Sequence, residues 1–451
     1  MNKLTKALIK TGGDREKQNM IWNMAGSFCY AFASMVLSFL VMRVIGEDQG
    51  GIFSFGFSTL GQQMFILAYF GIRPFHITDG TGEYSFGDYF HHRILTCAAA
   101  VFLGVGYLVL FHVRYTAQEM IVLFLLICYK VVDGFADVYE TEFQRSGRLY
   151  LTGKSNTFRV MLSVGAFLAA LMVTQRGLPA DAVKMGMPLV ISCAVAVAAQ
   201  VLGVLLFDMP VIRELSNVNF SWNKASVRPL FSNTGLLFIS VFLDFYIFSS
   251  VKYAIDAHMD NAASGYFNII FMPTSVINLA AGFVIRPFLT YLTEYWNQKR
   301  YGDFVTVLKK LTLIIGGLTI LAVAAVLALG RPVLGLLEMI LGGDYSGKLT
   351  GYRMPFLWIV LGGGFYALLN LYYYVLVILR RQNVIFGVYL VMTVTAAVLA
   401  PYMVVRSGIP GAAAGYLVLM VLMTAMFVTG ALISIKGGRN AVTTQGIGGR
   451  G

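Results

Sequence analysis

The chain has 451 residues, of which 57% are hydrophobic and 12% charged, against about 25% charged in an ordinary soluble domain. With a mean hydropathy of +0.72, this excludes a string of soluble domains, a coiled coil and a disordered chain. The formal net charge of +12 sits in short loops between apolar runs, which points to a basic face against anionic lipid and not to nucleic acid.

A bilayer-spanning helix needs about 20 mostly apolar residues. In chain order, twelve runs are predicted as spans: 20–44, 51–72, 93–112, 120–139, 158–174, 186–207, 229–250, 266–286, 310–329, 354–375, 384–405 and 411–435. The first is read as a retained anchor, because its apolar run continues past Ala31-Phe32-Ala33 to Val44, beyond the length of a signal peptide. The fourth run carries charges and the fifth is short. Counting Lys and Arg orients the chain. With the N-terminus inside, 24 of the 34 fall in the two tails and the inner loops, Arg93 and Arg159 among them, and 9 in outer loops, Lys252 among them. Both termini are therefore expected in the cytoplasm, which requires an even number of crossings.

The runs divide into two halves. Ile72-Arg73-Pro74-Phe75 closes the second run and Ile285-Arg286-Pro287-Phe288 closes the eighth, the second of the other half. The preceding outer loops, from Ile45 to Phe53 and from Asp256 to Phe267, are each polar, then glycine, then aromatic. The fold class expected is an all-α polytopic membrane protein, twelve helices in two six-helix lobes related by a parallel pseudo-twofold repeat. Its parts are an N-terminal lobe 1–207, a cytoplasmic linker 208–228, a C-terminal lobe 229–436 and a flexible cytoplasmic tail 437–451.

An ionisable side chain at mid-membrane costs about 2.5–3.5 kcal/mol on insertion scales, so each one needs a reason. Lys130, Asp133 and Asp137 lie on one face of the fourth run, at spacings of three and four. Asp244 lies near mid-depth of the seventh, and Arg73 and Arg286 at the inner ends of the second and eighth. One reading is a polar cavity in which Lys130, Arg73 and Arg286 meet an anionic head group while Asp133, Asp137 or Asp244 takes a coupling ion. The other is that Lys130 pairs with Asp133 or Asp137 within its own helix, that Asp244 bonds helix to helix, and that the two arginines are interfacial anchors. Asn370, followed by Tyr372, Tyr373 and Tyr374, suits either a sugar-binding surface or an interfacial aromatic belt.

Gly411-Ala412-Ala413-Ala414-Gly415 reads as a close-packing face. Gly362-Gly363-Gly364, Pro273 and Pro401 read as bends. Cys29, Cys97, Cys128 and Cys193 lack metal-type spacing, and His76, His91, His92 and His258 lack a clustered third ligand, so no metal is expected. No Walker loop and no supported Ser/His/Asp set is present, so no cofactor and no enzymatic activity are expected.

Several of these stretches resemble one family. Leu341-Gly342-Gly343-Asp344-Tyr345 is similar to its G-x-x-Y outer loop, and Gly408-Ile409-Pro410-Gly411-Ala412-Ala413 to its G-I-x-G-A-A turn. Arg380-Arg381-Gln382 stands where the family has a short basic inner loop, and Ile45-Gly46 through Phe53 resembles its first glycine-rich loop. The family is the polysaccharide flippases of the multidrug/oligosaccharidyl-lipid/polysaccharide exporter superfamily. The resemblance implies a V-shaped fold of two six-helix lobes in a bacterial cytoplasmic membrane. It implies alternating access that carries an undecaprenyl-diphosphate-linked oligosaccharide to the outer leaflet for cell-surface polysaccharide assembly, with the lipid tail left in the bilayer. Lys130, Arg73 and Arg286 fit the cationic requirement by type. The partners expected are that substrate, membrane lipids, a coupling proton or sodium ion, and the polymerase and glycosyltransferases of the same pathway. The competing readings are a multidrug or cation antiporter of the same superfamily and a membrane-embedded polysaccharide polymerase or ligase.

Overall fold

The computed structural model describes residues 9–10, 13–79, 83–215 and 218–447, with side chains throughout these except at positions 34, 78 and 438–447. Lys3 and Lys6 of the expected basic tail, and the last four positions, lie outside the described residues. Among the described residues there are helices and turns and no strand.

The first helices follow the apolar runs. α1 is Arg15–Ile45, capped by Asp14, whose carboxylate accepts from the Glu16 amide. The second run is interrupted. α2, Glu47–Phe55, passes through a π-helical turn, Gly56–Leu60, into α3, Gly61–Tyr69. The left-handed pair Phe70 and Gly71, with φ of 53° and 63°, then swings the chain into α4, Ile72–Thr78. α5, Phe86–Leu110, and α6, Ala117–Arg145, both open on a capping box, Ser85 with Asp88 and Thr116 with Glu119. α7 is Leu149–Gly177 and α8 is Met187–Gly203, followed by a second π-helical turn, Val204–Asp208, and the short α9, Met209–Arg213.

The later helices are longer than their apolar runs. α10 is Val227–His258. α11, Asn261–Phe271, gives way at Met272 to α12, Pro273–Asn297, an interruption at Pro273. α13 runs unbroken from Tyr301 to Leu341. The expected outer loop 330–353 therefore shortens, and Glu338 straps it down by accepting the amides of Gly347, Leu349 and Thr350. α14 is Arg353–Ile378 and α15 is Gln382–Ile447. The expected eleventh and twelfth spans form that one helical run, broken at Gly408, whose φ of 58° and ψ of −136° are non-helical.

Among the described residues, nine helices are long and apolar enough to cross a membrane. The runs that separate nine from twelve are α2–α3, interrupted by its π-helical turn, α6, which is charged, and α15, whose two helices meet at Gly408 and are counted as one.

Three expectations are corrected here. Arg93 and Arg159 are not loop anchors but lie 1% exposed inside helices, and Lys252 is not in an outer loop but 8% exposed within α10. Membrane helices tolerate such charges only when the bundle interior takes them up. The glycine triplet does not interrupt α14, which stays helical throughout. It admits neighbours: a Cβ at Gly362 would meet the Tyr416 ring, and one at Gly364 the Thr319 side chain.

The chain divides into two units, Met1–Phe242 and Leu243–Gly451. In the first, α6 is the central helix, packed by α3, α5, α7 and α8. In the second, α14 is central, packed by α12, α13 and α15.

Candidate functional site

The face of α6 that carries Lys130, Asp133 and Asp137 continues through Glu140 to Gln144, at the same helical spacing. Because α6 is surrounded by other helices, this whole face points into the first unit. All three carboxylates are less than 10% exposed.

Each finds an arginine from another helix. Asp137 lies 2.7 Å from Arg93 Nη2 on α5 and 2.7 Å from Arg73 Nη1 on α4. Arg73 also reaches Glu140 at 3.7 Å and donates to Gln144 at 2.9 Å. Arg159 on α7 binds Asp133 at 3.1 Å, Glu140 at 2.7 Å and, from the second π-helical turn, Asp208 at 3.1 Å. Ser155 donates to Asp208 at 2.5 Å and accepts from Arg159 at 2.8 Å. Gly203 leaves room for this arginine, since a Cβ there would come within 2.8 Å of its Cγ. Three guanidiniums thus face four carboxylates, Asp133, Asp137, Glu140 and Asp208. Removed from water, such a network holds only because every charge has a partner.

Lys130 sits beside it, within the electrostatic reach of Asp133, and its partner Tyr30 also bonds that carboxylate. The intrahelical pairing with Asp133 or Asp137 does not form, because the arginines hold both carboxylates. The ammonium instead donates to the Tyr30 hydroxyl at 2.8 Å and to Gln62 Oε1 at 3.1 Å. It sits 4.2 Å above the Phe57 ring and 5.2 Å from that of Tyr30. Phe57 belongs to the first π-helical turn, and Gly61 lets the turn approach, its Cβ position falling 3.0 Å from Lys130 Cγ. Lys130 is 2% exposed, and no described carboxylate lies within ion-pair distance of it.

In the second unit, Asp244 Oδ2 accepts from the Tyr366 hydroxyl at 2.7 Å, and Asn370 donates to Asn278 at 2.9 Å. Tyr372 is buried against Thr312 at 3.2 Å, so it is not part of an open aromatic surface. Arg286 is exposed on α12 and makes no ion pair with a described residue. Of the three cations proposed from sequence, then, Arg73 forms ion pairs inside the protein, and Lys130 and Arg286 form none with a described residue.

The sequence reading missed Glu140, Arg93, Arg159 and Asp208. Glu140 was signalled by its spacing of three from Asp137. The two arginines stand at the edges of apolar runs, where anchors also stand.

Among the described residues no cluster of three metal-binding side chains occurs, and the four cysteines are free. Nearby, but outside the spans, Asp79 accepts amides from Glu83 and Tyr84 and the Tyr89 hydroxyl at 3.0–3.1 Å. Burial pushes its carboxyl up, but these donors outweigh it and hold it below the usual carboxylate range.

No protein-family profile and no curated protein matches the chain. Solved structures do. The lipid II flippase MurJ in an inward closed conformation is 10% identical, over 93% of this chain and 90% of that one, with a TM-score of 0.66. An inward-facing multidrug resistance MATE family transporter of the MOP superfamily is 12% identical over 97% and 98%, at 0.60. A point mutant of the Vibrio cholerae MATE transporter VcmN is 11% identical over 98% and 99%, at 0.59. The chain is an all-helical membrane protein with the fold of the MOP-superfamily transporters.

Proposed function

We propose that the protein is a transporter that moves an undecaprenyl-diphosphate-linked oligosaccharide from the cytoplasmic to the outer leaflet by alternating access, for cell-surface polysaccharide assembly. The observation that carries this reading is Lys130, a buried ammonium held by a hydroxyl, an amide oxygen and a phenyl ring and by no described carboxylate. An uncompensated cation inside a membrane protein is expensive, and a ligand with negative oxygens supplies what the helices do not. Arg286, exposed and unpaired, is a second contact of the same kind, and Asn370 a hydrogen-bonding group for the sugar. The reading takes twelve crossings, with both termini at the cytoplasmic face of a bacterial plasma membrane, and no enzymatic step.

Coupling falls to the acidic residues. The α6 network sets three guanidiniums against four carboxylates, with the Lys130 ammonium close enough to Asp133 to act as a fourth cation. Within that network we assign the coupling ion to Asp133 or Asp137. Asp244, held by the hydroxyls of Tyr366 and Tyr389, is the candidate in the second unit.

The test is leaflet exchange of a fluorescent undecaprenyl-diphosphate oligosaccharide in liposomes under an imposed ion gradient, comparing wild type with Lys130→Ala. Protein-dependent exchange that falls in the variant supports both function and site. Exchange that survives in the variant keeps the function and removes Lys130 from the site. A second reading, a cation or drug antiporter, draws on the acid–tyrosine pair Asp244–Tyr366, and efflux of a cationic dye without any lipid exchange would select it.

A further inference from the structure

A second buried lysine repeats the arrangement around Lys130 in the other unit. Lys252, on α10, is 8% exposed, and its ammonium lies 4.4 Å above the ring of Phe271. Among the described residues it forms no ion pair. Lys130 is placed in the same way over Phe57, at 4.2 Å.

The two rings occupy related places in the chain. When Ile72-Arg73-Pro74-Phe75 is laid on Ile285-Arg286-Pro287-Phe288, Phe57 falls opposite Ile270, next to Phe271. Thr59, inside the first π-helical turn, falls opposite Met272, where α11 gives way to α12. In each unit, then, a helix is interrupted at the corresponding point, a phenylalanine stands at or beside the interruption, and a buried lysine from another helix rests on its face. A ring quadrupole attracts an ammonium without supplying a counter-charge, so neither ring provides the anion that the buried lysine lacks as an ion-pair partner.

Resting on the flippase reading above, we propose that Lys252 is a second anion-binding residue, which takes a phosphate of the transported lipid diphosphate at a stage of transport other than the one served by Lys130. The positions along the helices give the order. Lys130 stands near the middle of α6, whereas Lys252 lies about 9 Å from the His258 end of α10, at 1.5 Å per residue. With the N-terminus inside, that end is the outer one, so Lys252 serves the release side.

The test is equilibrium binding to the full-length protein in nanodiscs, with undecaprenyl diphosphate, undecaprenyl monophosphate and neutral undecaprenol as probes. Lys252→Gln should weaken binding of the diphosphate by about tenfold, as expected for losing a charge-assisted contact, and leave undecaprenol unchanged. Lys252→Arg, which keeps the charge, should restore most of the affinity and shows that the fold tolerates change there. Diphosphate affinity equal to wild type in Lys252→Gln overturns the proposal. So does an equal loss for the diphosphate and undecaprenol, which would mark a packing role. Weakened binding in Lys130→Gln beside unchanged binding in Lys252→Gln confines the failure to Lys252. A wild-type protein that distinguishes none of the three lipids brings down the flippase reading itself.

Discussion

Arg159 and Asp208 meet at 3.1 Å with 1% and 0% of their side chains exposed. They stand 49 positions apart in the chain, one on α7 and the other in a π-helical turn. The turn matters because its wider winding shifts every later side chain around the helix axis. A π-bulge of this kind is frequent at functional sites.

Replacing Arg159 by Met should therefore be among the most damaging single changes in the first unit. It would strand Asp133, Glu140 and Asp208 without their shared cation. Breaking a buried pair by removing one partner costs about 3–5 kcal/mol. The unfolding midpoint of the purified variant should drop by many degrees, or the protein should fail to accumulate. Asp208→Asn leaves Arg159 two carboxylates and should cost less. Equal midpoints for Arg159→Met and wild type would show that the network carries little stability.

Tyr30→Phe removes one of the two hydrogen bonds that hold the Lys130 ammonium. Losing one bond to a charged group costs about 1.5–3 kcal/mol. Leaflet exchange should fall, by less than in Lys130→Ala, and the unfolding midpoint should drop by several degrees. Lys130→Arg tests shape against charge, since a planar guanidinium does not fit the same donor geometry. Its exchange rate should lie between those of wild type and the alanine variant.

Gly364→Val probes the close approach of α13 and α14. Even a Cβ at this position would overlap the Thr319 side chain. Overpacking of this kind costs about 1–3 kcal/mol, to be read from the thermal midpoint, and Thr319→Ala in the same chain should recover part of it. A loss of transport with the midpoint unchanged would instead mark a flexing point.

Asp79 gives an acid-side prediction. Its folded-state value lies below the ordinary 3.8, so the stability it adds is fully present above that value. It is lost as the pH falls through the lower, folded one. Between pH 5 and 3, at about the carboxylate range, Asp79→Asn should flatten the decline of the unfolding midpoint relative to wild type. Parallel curves would remove Asp79 from the acid response.

Much of this was legible in the sequence, because the bilayer imposes a simple rule. Backbone polar groups must be satisfied within the segment, so long apolar runs become helices, as 158–174 became part of α7 and 354–375 of α14. The polar face of α6 was legible for a similarly local reason, since residues three and four apart share a helical face whatever surrounds them. The interruption at Pro273 was readable too, because that residue lacks an amide hydrogen.

What the sequence could not supply was the identity of partners. Lys130 with Asp133 is the pairing that local spacing offers, yet Asp133 belongs to Arg159 and Lys130 to Tyr30 and Gln62. Arg93 and Lys252 were counted as loop charges because their neighbours in sequence stand near run ends, and only packing shows them buried. The cost of a buried charge is set by the atoms within a few ångströms, and those come from helices dozens of residues away. The sequence by itself determined that this chain folds as membrane-embedded helices and where a charged face lies. The tertiary structure alone decided which charges cancel and which buried lysines among the described residues, Lys130 and Lys252, form no ion pair, because Coulomb energies follow distance in space and not distance along the chain.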